Sequence, residues 1–114
     1  MIQRIETGPR MSEAVVHNGV VYLAGQVAED TSADIAGQTW QVLEQIDALL
    51  SSAGSGRDRI LRAEIFLPDM SDFSAMNAVW ETWVVPGHAP ARATVQAALA
   101  DPGWKLEIVI TAAV

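Results

Sequence analysis

The strongest constraint on the fold is an imbalance between strand surface and helical cover. Two strand-like segments, 60–67 and 106–114, carry apolar residues on both of their alternating faces. The chain has 114 residues and only two helix-like segments. Two helices can cover one face of a sheet, and the other face then needs a second layer. Because the chain cannot supply that layer itself, we expect it to self-associate.

Turn and cap residues predict the order of the elements. Asn18-Gly19 joins two β-prone runs, and both residues tolerate positive φ, so this segment predicts a hairpin. A helix with apolar residues every three or four positions begins at Ala33 or Asp34 and ends near 53, before Gly54. Ser71 is the expected N-cap of a second helix, over about 72–84. The predicted strands are 2–5, 13–17, 20–24, 60–67, 92–98 and 105–113.

The resulting order is β-β-β-α-β-α-β-β. This order is typical of an α+β fold, in which both helices pack on one face of a mixed sheet. A chain of this length forms one domain, so we assign residues 1–114 to a single domain.

Charge and composition exclude several classes of function. The formal net charge is −7, with 14 acidic against 7 basic residues and no basic cluster, which argues against nucleic acid as a partner. There is no cysteine, so disulfides, thiolate nucleophiles and cysteine-bound metals are excluded. His17 and His88 are far apart in the sequence and lie in predicted turn and loop segments, so no metal is expected. No apolar run is long enough to span a membrane, and the default location is the cytoplasm.

The most informative polar residue is Arg92. Arg92, Thr94 and Gln96 share one face of a predicted strand. An arginine that faces protein is costly to place unless an anion meets its planar fork, and carboxylates and phosphates fit that fork bidentately. The alternatives are a solvated arginine on an edge strand and a structural ion pair.

Three other residues are candidates for the same site. Asn77 lies within an apolar helix stripe, where it either ties down a loop or serves a site. If the last two strands pair, Glu107 shares a face with Arg92, either as a site residue or as its ion-pair partner. Gly25 ends a strand and allows a backbone or a ligand to approach closely.

Taken together, the order and spacing of these residues resemble the RidA/YjgF family of reactive intermediate deaminases. The resemblance covers essentially the whole chain. The segments that carry it are Tyr22-Leu23-Ala24-Gly25-Gln26, Gln38-Thr39, Ile65-Phe66-Leu67-Pro68-Asp69-Met70-Ser71-Asp72-Phe73, Met76-Asn77, Ala89-Pro90-Ala91-Arg92-Ala93-Thr94-Val95 and Leu106-Glu107-Ile108.

The resemblance implies a chorismate-mutase-like fold and a homotrimer with a ligand cleft between each pair of subunits. It implies that Arg92 grips a substrate carboxylate and that Glu107 positions or activates water. Asn77 would lie in the same cleft, and backbone near Gly25 would line it. No metal or organic cofactor is required.

The chain also departs from the deaminase pattern. Met11 stands where the well-studied branch has tyrosine, Ala24 where it has serine, and Thr94 where cysteine is frequent. Thr94 keeps a hydroxyl on the arginine face, whereas Met11 and Ala24 lose hydrogen-bonding groups. The grip on the carboxylate is therefore expected to be intact and the contacts at the amine end to be altered.

Three functions follow as hypotheses. The first is hydrolytic deamination of reactive 2-imino acids to 2-oxo acids and ammonia. The alternative is a non-catalytic trimer that binds small carboxylates in a regulatory or chaperone-like role. The third is an endoribonuclease or translation inhibitor, a role attached to some relatives, and the net charge of −7 weighs against it.

Overall fold

The structure is a computed structural model that describes residues 1–114. A six-stranded mixed sheet has the order β1-β2-β3-β6-β4-β5, and two helices pack on one of its faces. The strands are β1 (Gln3–Thr7), β2 (Ser12–His17), β3 (Val20–Leu23), β4 (Ile60–Leu67), β5 (Ala91–Gln96) and β6 (Glu107–Ala113). The helices are α1 (Ile35–Ser52) and α2 (Phe73–Trp83). The predicted α+β order is confirmed.

The hairpin and the first helix form for the predicted reasons. Asn18 and Gly19 have φ of 51° and 76°, and they join His17 to its antiparallel partner Val20. Helix α1 is capped by the Asp34 carboxylate, which accepts a hydrogen bond from Gly37 N at 2.8 Å. Gly54 has a φ of +79° just after the helix, a conformation that glycine adopts without strain.

The start of the second helix differs from the prediction. A single 3₁₀ turn over Met70–Asp72 precedes α2, and Asp69 caps that turn by accepting from Ser71 N at 2.9 Å. Ser71 was expected to be the N-cap, and that expectation is wrong. Asp69 is also a strong capping residue, and its carboxylate reaches the Ser71 amide first.

Strand pairing is the main correction to the predicted fold. Strand β4 pairs in parallel with β5 and antiparallel with β6, so it lies between them. The predicted pairing of the last two strands is therefore wrong. Helix α2 forms the crossover that a parallel pair requires, and this β4-α2-β5 unit places β5 at the edge of the sheet.

The hydrophobic core lies between the helices and one face of the sheet. A cluster of 20 buried residues contains side chains from both helices and from the helix-facing side of the strands. On the opposite face the apolar side chains of Tyr22 and Val95 are about half exposed, at 50% and 46%. The predicted uncovered sheet face is therefore present in the single chain. Neither helix has the length and hydropathy needed to cross a bilayer.

Candidate functional site

Arg92 lies on the helix-facing side of the edge strand. Its register partner in β4 is Ala63, which is fully buried beneath the helices, so the arginine side chain points towards α2. There Arg92 Nη1 donates a hydrogen bond to Asn77 Oδ1 at 2.8 Å. The apolar stripe that contains Asn77 therefore carries an acceptor for this guanidinium.

Two aromatic rings of α2 complete the surroundings of Arg92. The guanidinium carbon lies 5.9 Å from the ring centre of Phe73 and 5.7 Å from that of Trp80. Positions 73, 77 and 80 are four and three residues apart, so one helix face presents ring, amide and ring to the same cation. Cation–π attraction and the amide together restrict where the guanidinium can lie.

The charge of Arg92 is not balanced by an ion pair within the chain. The ion pairs are Arg57–Asp47 and Arg62–Glu64, so an ion pair between Arg92 and a carboxylate of its own chain, one of the alternatives, is wrong. Burial lowers the pKa of Arg92, and the nearby charge of Glu81 partly opposes that shift. A guanidinium nevertheless keeps its proton at physiological pH. Its Nε and Nη2 donors have no partner in the chain and can receive an anion bidentately.

Thr94 lies on the same strand face, two residues beyond Arg92. Its hydroxyl oxygen is buried and has no hydrogen-bond partner in the chain. A ligand therefore reaches this hydroxyl only if the side chain changes rotamer. Thr94 shares the arginine face as predicted, but it does not present an accessible hydroxyl there.

Glu107 lies on the other face of the sheet. Its register partner in β4 is Phe66, whereas the partner of Arg92 is Ala63, and an odd offset along a strand reverses the side-chain direction. Strand geometry places the two Cα atoms roughly 10 Å apart in the strand direction, which is three residues. Perpendicular to the strands they are also roughly 10 Å apart, because β4 lies between β5 and β6. The expectation that Arg92 and Glu107 share a face is wrong, because it depended on direct pairing of β5 with β6.

Glu107 belongs to a separate open cleft of about 630 Å³. Met11, Gly25, Gln26 and Trp104 also line this cleft. A Cβ atom added at Gly25 would overlap the Glu107 carboxylate, with Glu107 Cδ only 2.8 Å away. Gly25 is therefore the residue that allows Glu107 to lie against the backbone, as its position at a strand end predicted.

The floor of the cleft is held by Gln26, a residue that the sequence did not single out for this role. Gln26 is buried, and its Nε2 donates to Glu13 Oε2 and to the carbonyl oxygen of Ala24, both at 3.1 Å. Ala24 thus contributes its backbone carbonyl, as the acceptor of this hydrogen bond from Gln26. The Glu107 carboxylate accepts no hydrogen bond from the chain, which leaves it free for water or for another subunit.

The predicted site residues therefore fall into two groups within one chain. The first, which we call the arginine half-site, consists of Arg92, Asn77 and Thr94 together with the rings of Phe73 and Trp80. The second, the glutamate half-site, consists of Glu107, Met11 and Gly25 with Ala24 beside them. The spacing of Phe73 and Trp80 around Asn77 was the available signal for the aromatic contacts, whereas no sequence signal marked Glu13.

Comparisons with known proteins cover the full chain. A family model described as endoribonuclease L-PSP matches residues 1–114. The RutC family protein YoaB of Escherichia coli K12 is 51% identical over 113 residues, covering 99% of this chain and 98% of YoaB. The chain belongs to the RidA/YjgF family. This assignment confirms the resemblance drawn from the motifs.

Solved structures of RidA/YjgF proteins agree with the fold. A YjgF-family protein from Neisseria meningitidis superposes with a TM-score of 0.97 at 48% identity, covering 99% of this chain and 94% of that one. The Rid-family protein YyfA from Yersinia pestis has a TM-score of 0.91 at 32% identity over the whole of both chains. The α+β sheet with two helices on one face is thus the fold of this RidA/YjgF chain.

Proposed function

We propose that the protein hydrolyses reactive 2-imino acids to 2-oxo acids and ammonia, with Arg92 holding the substrate carboxylate. The observation that carries this proposal is the state of Arg92: half-buried, held by Asn77 and two rings, and free of any carboxylate in its own chain. A small carboxylate supplies the missing charge and fits the two unused donors.

The separation of the two half-sites supports a cleft shared between subunits. Arg92 and Glu107 of one chain lie on opposite sheet faces and cannot contact the same small molecule. If the uncovered sheet faces meet in a homotrimer, the edge strand β5 of one subunit can lie against the uncovered face of its neighbour. The arginine half-site at that edge can then meet the glutamate half-site of the neighbour. Closed cyclic symmetry repeats that contact at every interface and yields three equivalent clefts.

The chemistry needs only water and the two charged groups. Arg92 fixes the carboxylate and thereby the adjacent C=N carbon. Water adds to that carbon while Glu107 accepts or orients its proton. The imine nitrogen takes up a proton from Glu107 or from solvent as the carbinolamine forms. The carbinolamine hydroxyl then gives up its proton, the C=O bond forms as the C–N bond breaks, and the nitrogen takes up that proton and leaves as ammonia. The 2-oxo acid remains, and neither a metal nor an organic cofactor takes part.

The test measures binding and turnover on the same variants. Titration calorimetry with pyruvate should give affinities about tenfold to hundredfold weaker for Arg92→Ala than for wild type, since a charged hydrogen bond is lost. Arg92→Lys should be a poor substitute because lysine lacks the planar fork. Equal affinity for all three proteins would contradict the proposal.

Turnover separates the deaminase from the non-catalytic binder. Imino acids generated in situ by an amino-acid oxidase should release ammonia and 2-oxo acid faster with wild type than with Arg92→Ala. Binding without any acceleration would favour the small-carboxylate-binding trimer, because Met11 and Ala24 offer no polar side chain to the amine end. Light scattering on the same samples should give the mass of a trimer, and a monomer at micromolar concentration would exclude the shared cleft.

A further inference from the structure

An ion pair at the C-terminal end of α2 holds the last residue of that helix. Arg57 contacts Asp47 of α1 through two hydrogen bonds, Nε to Oδ1 at 2.8 Å and Nη2 to Oδ2 at 2.9 Å. The same Asp47 carboxylate accepts from the indole nitrogen of Trp83 at 3.1 Å. Arg57 Nη1 also donates to the backbone carbonyl of Trp83 at 3.2 Å. One bidentate pair thus fixes both the side chain and the backbone of the last residue of α2.

Trp83 is connected to the surroundings of Arg92 through Trp80. The Arg57 guanidinium carbon lies 5.2 Å from the ring centre of Trp83, and the Trp83 and Trp80 ring centres are 5.5 Å apart. Both indoles are buried, with 2% and 5% exposure. Trp80 in turn lies 5.7 Å from the guanidinium carbon of Arg92. Contacts therefore run without a gap from the ion pair to the proposed carboxylate anchor.

This contact holds the C-terminal end of helix α2, whereas Asp69 caps the turn that precedes its N-terminal end. The helix has 11 residues, and its N-cap makes no side-chain hydrogen bond. The positive charge of Arg57 lies at its C-terminus, where the helix dipole favours a cation. Since Phe73, Asn77 and Trp80 all belong to α2, the rotation of this helix decides where the Arg92 guanidinium lies.

We propose that Arg57 and Asp47 are positioning residues for Arg92, acting through the Trp83–Trp80 pair. This inference rests on the proposed function, in which Arg92 binds the substrate carboxylate. Without the ion pair, α2 and Trp80 are held less tightly, Arg92 samples more orientations, and the affinity for a carboxylate falls. The ion pair never touches the ligand.

The experiment compares Arg57→Gln with Arg59→Gln, a matched control in the same 3₁₀ turn, Arg57–Arg59. Both arginines are exposed, but Arg57 donates three hydrogen bonds, whereas the side-chain contact of Arg59 is one long hydrogen bond, 3.4 Å to the Gly54 carbonyl. Pyruvate affinity is measured by calorimetry at a temperature where far-ultraviolet circular dichroism shows every variant to be folded. Arg57→Gln should weaken pyruvate binding about threefold to tenfold, the range expected for coupling between distant residues. Arg59→Gln should leave it unchanged.

Two further measurements distinguish positioning from simple support of the fold, and a second variant covers a failure to fold. Near-ultraviolet circular dichroism should change in Arg57→Gln, since Trp80 and Trp83 form a close pair. In a Trp80→Phe background the effect of Arg57→Gln on pyruvate affinity should fall to less than half. The reason is that Trp80→Phe already alters the contact between Trp83 and Arg92 through which Arg57 is proposed to act. If Arg57→Gln does not fold, Arg57→Lys replaces it, keeping the charge while losing the bidentate geometry.

The outcomes separate this inference from the proposed function. A lower melting temperature for Arg57→Gln with unchanged pyruvate affinity would overturn the positioning role, as would an undiminished effect in the Trp80→Phe background. Arg92→Ala is measured alongside. If Arg92→Ala binds pyruvate as wild type does, the proposed function fails. If Arg92→Ala loses binding while Arg57→Gln does not, only the positioning role fails.

Discussion

The two half-sites differ in how completely one chain builds them. Arg92 is held from three sides within its own subunit, by the Asn77 amide at 2.8 Å and by the rings of Phe73 and Trp80. Glu107 lies in an open cleft, where its carboxylate lies against the backbone of Gly25 and accepts no hydrogen bond from the chain. The binding group is therefore preorganised in the monomer, whereas the group assigned to handle water is not.

This difference has a physical basis in the energetics of burial. A half-buried guanidinium is costly unless it is packed and hydrogen-bonded, so its surroundings must form when the chain folds. A carboxylate in an open cleft remains hydrated and needs no such support. Under the proposed function, folding alone sets the geometry of carboxylate binding, and assembly sets the geometry of the reaction. Substitutions in the two half-sites should consequently affect different measurements.

The largest effect is expected from Gly25→Ala in the glutamate half-site. The new methyl group would overlap the Glu107 carboxylate, which is the flexible end of a side chain and can swing away. The fold should survive, and imino-acid turnover should fall about tenfold to hundredfold, as for a misplaced general base. Pyruvate affinity should change much less, because Arg92 sets it.

The control for this prediction is Gly8→Ala. A methyl group at Gly8 would make only an ordinary contact, 3.7 Å from the Met11 carbonyl, near the same cleft. It should leave turnover unaltered. Wild-type turnover in Gly25→Ala would mean that the orientation of Glu107 against Gly25 has no role in the chemistry.

A smaller effect is expected from Asn77→Asp in the arginine half-site, and it should appear in pyruvate affinity. The substitution keeps the shape but places a carboxylate against Arg92 Nη1, where Asn77 Oδ1 now lies 2.8 Å away. This internal anion should compete with the ligand and lower pyruvate affinity about tenfold, while the melting temperature stays level or rises. Asn77→Ala should weaken binding less. Asn77→Asp with wild-type affinity would contradict the assignment of Arg92 as the carboxylate anchor.

The parts of the fold that the sequence predicts well are those specified by neighbouring residues. The Asn18-Gly19 turn, the start of the first helix at Ala33 or Asp34 and the strand Ile60–Leu67 were all expected and are all present. Each depends on chemistry within a few positions along the chain, such as φ preference, capping or alternation. The single α+β sheet with two helices on one face follows from these local elements.

Apart from the N-cap expected at Ser71, the errors concern residues brought together from distant parts of the chain. Alternation placed Arg92 and Glu107 on definite faces of their own strands, but only the pairing with β4 relates those faces. Pairing depends on the crossover through α2 and not on any local pattern. The contact between Asp47 and Arg57 had no signal either, because ten residues and a helix end separate them. Asn77, in contrast, was recognisable as a polar residue within an apolar stripe.

The smallest effect is expected from Thr94→Val, measured as the free energy of unfolding. It tests whether a single chain supplies all the hydrogen-bond partners of the arginine half-site. Thr94 buries a hydroxyl without a partner, and such a group typically destabilises a protein by about 1–3 kcal/mol. Thr94→Val removes the hydroxyl at nearly constant volume, so it should raise the free energy of unfolding by about 1 kcal/mol. Urea titration at fixed protein concentration should show a higher midpoint with an unchanged slope.

The control Thr39→Val should lower the midpoint, since the Thr39 hydroxyl donates to the Ile35 carbonyl at 2.7 Å. If Thr94→Val is instead destabilising, the hydroxyl has a partner in the assembled protein, and the arginine half-site is also completed by a neighbouring subunit.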